Sequence, residues 1–202
     1  MGGRKIYKLP SPNTTGSVPL ETTLQKRRST RYFKDKQLSL ENLAQLLWSA
    51  QGVTDQRGFR TAPSAGALYP LKVYIVAGNV QDLTNGIYQY NSHDHSLMLI
   101  KDGDHREILC RVALRQDSIC HAPAALIITG IGEKTANKYG ERGIRYMLME
   151  AGHAAQNICL QAVALDLGSV TIGAFTDIEV AKILKVGNNE NPFYIIPVGK
   201  AR

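Results

Sequence analysis

The stretch Arg60 to Pro70, RTAPSAGALYP, sets four small residues, Ser64, Ala65, Gly66 and Ala67, between Pro63 and the corner Leu68-Tyr69-Pro70. With no bulky side chain in the way, the main chain there can lie against a planar ring. Ser64 and the N–H groups of Ala65 to Leu68 can donate to polar ring edges, and the prolines reduce the entropy lost on ordering the loop. The same residues would also suit a loop packed under a helix. A second pattern is Arg27, Ser29 and Arg31, whose alternation puts three donors on one side of an extended segment. A phosphate monoester, dianionic near neutral pH, needs such donors, each charge-assisted hydrogen bond contributing roughly 1.5–3 kcal/mol. Taken alone, a basic cluster is more often a solvated surface.

Other polar residues carry less. His93 and His95 flank Asp94 in a turn but lack the third fixed ligand a metal site requires, so no metal is expected. His153, Gln156 and Asn157 lie on an apolar helix, where polar groups usually tie neighbouring backbone or a partner subunit. Cys110, Cys120 and Cys159 are odd in number and without CxxC spacing, which argues against a disulfide framework and a thiolate zinc site and suggests thiols in a reducing compartment.

The chain has 202 residues, enough for one domain with a sizeable core, and 44% hydrophobic with 20% charged residues describe an ordinary soluble composition. No apolar run reaches the roughly 18 residues needed to span a bilayer, and no export signal is evident, so no membrane partner and a cytoplasmic location are expected. The net charge of +7 leaves nucleic acid, an anionic surface or a phosphorylated small molecule open.

The elements that must position these residues follow from periodicity. Residues 1–19 read as an N-terminal arm, with Pro10, Pro12 and Gly16 breaking any pattern up to Val18, and residues 20–202 as the folded domain. Leu20 to Arg27 suits a helix. Ser39 caps an amphipathic helix carrying Leu40, Leu43, Leu46, Leu47 and Ala50, with Gly52 as its stop. Lys72–Ala77 reads as a buried strand, Gly86–Tyr90 with Leu97–Lys101 as a hairpin, Arg106–Leu114 as a helix and Ala124–Thr129 as a further strand. Gly143–Leu167 is the longest helix, apolar nearly all round and so expected to be buried on every side. Its Ala151, Gly152, Ala154 and Ala155 form a face small enough for close approach of another helix, as at a subunit interface. Thr176 and Glu179 suggest a capping box for a helix from Asp177 to Val186, ended by Gly187, and Phe193–Val198 is the last strand. The fold class is α+β with a mainly antiparallel central sheet flanked by helices. The absence of GxGxxG after a strand leaves a Rossmann site unsupported.

RRSTR at Arg27–Arg31, PSAGALYP at Pro63–Pro70, EAGHAAQN at Glu150–Asn157, TIGAF at Thr171–Phe175 and PVGKAR at Pro197–Arg202 occur in the order expected of the nitroreductase family of FMN enzymes, which the chain resembles from about Leu24 onward. PSAGALYP resembles most the azoline-oxidising (SagB-type) dehydrogenase branch. The resemblance implies a homodimer with the long helix at its interface and active sites between subunits. It implies FMN held at its phosphate by Arg27, Arg28, Ser29 and Arg31 with Lys200 and Arg202. Pro63, Ser64, Ala65, Gly66 and Leu68 would line the pyrimidine edge, Gly173 or Ala174 would offer a main-chain donor to N5, and Gln116 would touch the ring or ribityl chain. Lys138 and Tyr139 resemble the Lys-Tyr pair thought to remove and relay a proton in the azoline branch, although a solvent-exposed loop lysine next to a packing tyrosine is the simpler account of them.

The implied activity is hydride transfer through flavin N5 between NAD(P)H and a small-molecule acceptor such as a nitroarene or quinone. The alternative within the family is oxidation of a peptide thiazoline or oxazoline. A non-enzymatic alternative, a basic nucleic-acid-binding module, finds no basic helical stripe and no aromatic RNA-binding strand to support it. Colourless protein that takes up no FMN yet is retained on DNA in a salt-dependent way would decide for that module.

Overall fold

The computed structural model describes residues 5–202. Seven strands form one sheet in the order β1-β4-β3-β2-β5-β7-β6, every neighbouring pair antiparallel. They are β1 (Ile6–Lys8), β2 (Leu71–Ala77), β3 (Gly86–Asn91), β4 (Ser96–Asp102), β5 (Ala124–Ile131), β6 (Gly168–Ser169) and β7 (Glu190–Gly199). The helices are α1 (Leu20–Lys26), α2 (Leu40–Gln51), α3 (Arg106–Val112), α4 (Asp117–His121), α5 (Gly132–Tyr139), α6 (Glu141–Ala164) and α7 (Asp177–Leu184). The α+β class with an antiparallel sheet between helices is as expected.

Successive side chains of the central strands point to opposite faces, and both faces are covered. Val73, Ile75, Leu126 and Ile128 pack with Leu43, Leu46 and Leu47 of α2 and with Ala151, Ala154 and Ile158 of α6. Tyr74, Val76, Ala125 and Ile127 pack with Leu109 of α3, Ile119 of α4 and Val180 of α7. Burial on two sides explains why β2 and β5 read as continuous apolar runs rather than as alternating ones. Ser39 caps α2 by accepting the Asn42 N–H, and a Cβ at Gly52 would meet the Trp48 ring.

The two distant parts of the chain that carry basic residues lie side by side. Phe33 bridges Ala201, the Lys34 N–H donates to the Lys200 carbonyl at 2.8 Å, and the Arg202 N–H donates to the Tyr32 carbonyl at 3.2 Å. Ser29 bridges Ser169, tying the same segment to β6.

Several expectations are corrected. Within residues 1–19, Ile6–Lys8 is not a tail but the edge strand β1 on β4. Cys110 and Cys120 form a disulfide: left-handed Leu114 and Arg115 turn the chain between α3 and α4, bringing the two Cα atoms to 5.4 Å. That fold-dependent closure is invisible to a spacing rule, so the cysteines give no argument for a reducing compartment; Cys159 is a buried free thiol. Helix α6 is not buried all round, because Ile144, Leu148 and Met149 are 42%, 51% and 53% exposed. Of its small residues, Ala151, Ala154 and Ala155 face the chain's own core, and only Gly152 opens outward. Thr176 makes no side-chain cap to α7, and left-handed Lys185, not Gly187, ends that helix.

Helices α5 and α6 cross with almost no space between backbones. A Cβ on Gly143 would lie 2.5 Å from the Thr135 carbonyl carbon and 2.7 Å from the Ala136 nitrogen. Gly143→Ala is therefore expected to destabilise the fold by about 1–3 kcal/mol through forced separation of the helices, read as a lower urea midpoint.

Candidate active site

The small-residue loop is a single 3-10 turn, Ala65–Ala67, with unusual backbone geometry. Gly66, Ala67 and Tyr69 all have left-handed φ, at 61°, 54° and 47°. For the two residues with side chains this conformation costs on the order of 1–3 kcal/mol each and needs external support. That support is dense. The Ala65 N–H donates to Glu150 Oε1 at 2.8 Å, the Tyr69 N–H to Ser64 Oγ at 2.9 Å and the Arg60 N–H to the Tyr69 hydroxyl at 3.3 Å. Asn157 Nδ2 donates to the Thr61 carbonyl at 3.2 Å, the backbone-tying role expected of it.

These bonds correct the expectation that the N–H groups of Ala65 to Leu68 all point to a ligand. Ala65 is used by Glu150, and the Ala67 and Leu68 N–H groups close the turn on the Ser64 and Ala65 carbonyls. Gly66 retains the N–H that the loop does not use, and Pro63, Gly66 and Ala67 are exposed.

Glu150 sits on α6 at 4% exposure, with Oε2 lacking any hydrogen-bond partner. Burial pushes its carboxyl above the usual carboxylate range, against the opposing pull of the Ala65 N–H, Ser64 and His153. A carboxylate among Ala and Gly on a packed helix was the signal in the sequence, but no role was read from it.

Helix α5 brings Lys138 and Tyr139 against the turn. A Cβ on Gly66 would lie 2.6 Å from the Tyr139 hydroxyl and 2.9 Å from Lys138 Nζ. Lys138 is thus on a helix, not in a loop, and its Nζ stands 5.4 Å from the Tyr139 ring centroid. Tyr139 is braced edge-on by Tyr146 at 5.3 Å.

The basic cluster lies further along α6. Arg27 is half-buried and acts electrostatically on Cys159, whose thiol burial pushes up. Glu150 and Cys159 are separated by about two and a half turns, roughly 13 Å along the helix axis. Ser29 and Arg31 are exposed, and Arg202 Nε donates to the Phe33 carbonyl at 3.0 Å. Arg28 instead folds its guanidinium onto the carbonyls of Gln25 and Arg27. Lys200 is paired with Asp166, so its charge is partly answered within the chain.

In the TIGAF segment Ile172 bridges Ile195, fixing Gly173 and Ala174 as an exposed turn beyond the sheet. Gln116 donates its amide to the Ala113 and Ala174 carbonyls at 3.1 and 3.0 Å. Its amide donors hold that turn. His95 is held by the Tyr90 hydroxyl and the Pro10 carbonyl.

Comparison with known proteins gives this α+β fold, with its bare-backbone turn and its basic cluster, a class. The nitroreductase family model matches residues 24–200. A candidate nitroreductase of Methanocaldococcus jannaschii is 45% identical over 183 residues, 91% of each chain. A candidate nitroreductase structure from Ralstonia eutropha JMP134 superposes with a TM-score of 0.86 at 29% identity, covering 98% of this chain and 90% of that one. A chain of the Escherichia coli microcin synthetase McbBCD complex, solved with truncated pro-MccB17 bound, superposes with a TM-score of 0.75 at 27% identity, covering 96% and 77%. The chain belongs to the nitroreductase family and is an oxidoreductase of that family. Among the described residues no helix is long and apolar enough to cross a membrane.

The raised carboxyl of Glu150 makes a pH prediction. A folded-state value above the unfolded one contributes stability that is present at low pH and lost as pH rises through the folded value. Wild type is expected to lose stability relative to Glu150→Gln as pH rises from the ordinary carboxylate range through the raised value, measured by urea denaturation at stepped pH. A constant difference between the two proteins would contradict the assignment.

Proposed function

We propose that the chain is an FMN-dependent oxidoreductase passing hydride through flavin N5 between NAD(P)H and a small-molecule acceptor such as a nitroarene or quinone. The observation that carries this reading is the pairing of residues 32–34 with 200–202 and of Ser29 with Ser169, which brings the segment of Arg27, Ser29 and Arg31 beside Arg202 from the far end of the chain. Such convergence of positive charge suits a dianionic phosphate.

The residues present fit FMN on two further grounds. The bare Gly66 lets the Tyr139 hydroxyl and Lys138 Nζ come so close to the turn that a Cβ would clash with both, which keeps polar groups beside a flat, side-chain-free surface; and Gly173 has open surroundings, the nearest atom to a Cβ there being the Phe193 carbonyl at 4.0 Å. When bound, FMN supplies N5 as a centre that accepts and releases hydride. The chain's own residues do the rest. Arg27, Ser29, Arg31 and Arg202 would hold the phosphate, with Lys200 contributing less because Asp166 engages it. Pro63 to Leu68 would line the ring with the Gly66 N–H as donor, and the Gly173–Ala174 turn, steadied by Gln116, would offer main-chain donors to the redox edge.

A homodimer with sites at the interface is supported by the exposed apolar stripe of Ile144, Leu148 and Met149 beside the open Gly152 on α6, a surface that gains by being covered.

A second reading, oxidation of a thiazoline or oxazoline in a peptide, is favoured by the approach of Lys138 and Tyr139 to Gly66. There Lys138 Nζ would take a substrate proton and the Tyr139 hydroxyl would relay it.

Two variants test these readings. Replacing Arg27 and Arg31 together with alanine is expected to release flavin while leaving the circular dichroism melt in place; full FMN retention would contradict the phosphate assignment. Lys138→Ala is expected to spare nitroarene and quinone reduction under the first reading. Selective loss of azoline oxidation, by about 10²-fold or more as for a lost general base, would decide for the second.

A further inference from the structure

Beside the turn lies a cleft of about 370 Å³, a volume within the range of small-molecule sites. Leu71, Val73 and Tyr90 form part of its wall, and Arg60 and Lys134 bring positive charge to it. Arg60 is stacked on Tyr69, its guanidinium carbon 4.5 Å from the ring centroid, with one terminal nitrogen on Gln51 Oε1 at 2.9 Å. Its Nε is buried without a partner. Among the described residues no carboxylate lies within ion-pair distance of Arg60 or Lys134, and the nearby Lys72 has taken Glu190, at 2.7 Å. Asp94 also lines the cleft, but its carboxylate accepts from Asn91 Nδ2.

A half-buried cation without a counter-ion is costly unless a ligand supplies one. We propose that this cleft binds the anionic group, carboxylate or phosphate, of one of the enzyme's reactants between Arg60 and Lys134. Burial first, then the neighbouring charges of Lys72 and Arg60, hold Lys134 below its ordinary lysine value against the opposing pull of Glu190. Position adds a constraint. Lys134 and Lys138 are one turn apart on α5, about 6 Å along its axis, and Lys138 touches the Gly66 turn. A reactant lying over the ring beside Gly66 and reaching toward Lys134 therefore carries its charge about one helical turn away, a spacing that a para-substituted benzene ring spans. This inference rests on the functional reading above in taking the Gly66 turn as part of the flavin site.

The test compares 4-nitrobenzoate with its neutral counterpart 4-nitrobenzamide on the flavin-loaded protein. The KM for the benzoate is expected to be lower by at least about tenfold, as one charge-assisted hydrogen bond would give, and Lys134→Gln and Arg60→Gln are each expected to erase most of the difference. In a parallel arm with nitrobenzamide as acceptor, a KM rise in Lys134→Gln for NADPH but not NADH would assign the anion to the dinucleotide's extra phosphate. Calorimetric titration with both nitro compounds, which needs no turnover, separates this inference from the functional one. If neither compound is reduced but the benzoate binds more tightly through Lys134, the cleft assignment stands and the nitroarene reading falls. If neither reactant pair is discriminated, or discrimination survives in both folded variants, the cleft assignment is overturned.

Discussion

The Glu150 carboxylate, buried on α6 and accepting the Ala65 N–H, is the contact on which the candidate site depends. Without it a turn with three left-handed residues would lose its tie to the long helix and could relax. Because it holds, the position of the turn is set by α6, and the position of α6 is set by its packing on α2 and the sheet. The strain in the loop and the desolvation of the acid are thus both supported by the apolar core. Each fully buried leucine of α2 adds roughly 1.5–3 kcal/mol to that core.

The same helix organises the remainder of the site. Toward its beginning it crosses α5 at Gly143, which delivers Lys138 and Tyr139 to the turn; toward its end its own Cys159 lies beside Ser169 and Arg27. One rigid rod therefore spaces the bare-backbone turn from the basic cluster, and neither can move without the other. Residues 200–202, which follow β7, contribute by pairing with residues 32–34, so the cluster is assembled only when the sheet has closed.

Much of this was legible in the sequence, for identifiable reasons. The 3.6-residue spacing of Leu40, Leu43 and Leu47 and the cap at Ser39 gave α2, and the apolar runs gave β2 and β5 because both their faces are buried. What escaped was decided by tertiary closure. Three residues cannot advertise an edge strand, so Ile6–Lys8 passed as tail. Five residues are too few for a period, so α4 and the disulfide it completes went unseen. The small residues of the turn were recognised, but which N–H groups stay available depends on how the turn closes upon itself, and residue type does not reveal that. Lys134 and Arg60 were hidden for the same reason, since a cleft joining a helix, a loop and a strand has no sequence spacing.

The three residues of β1 cover the outer edge of β4, pairing Ile6 with Met98 and Lys8 with Ser96. An uncovered edge of this kind is a template for adding strands from other molecules. A protease that clipped the chain just after Lys8 would leave the turn, the long helix and the basic cluster untouched, yet would convert a well-behaved molecule into one prone to edge-to-edge aggregation. Loss of solubility, not loss of chemistry, is the failure this short strand guards against.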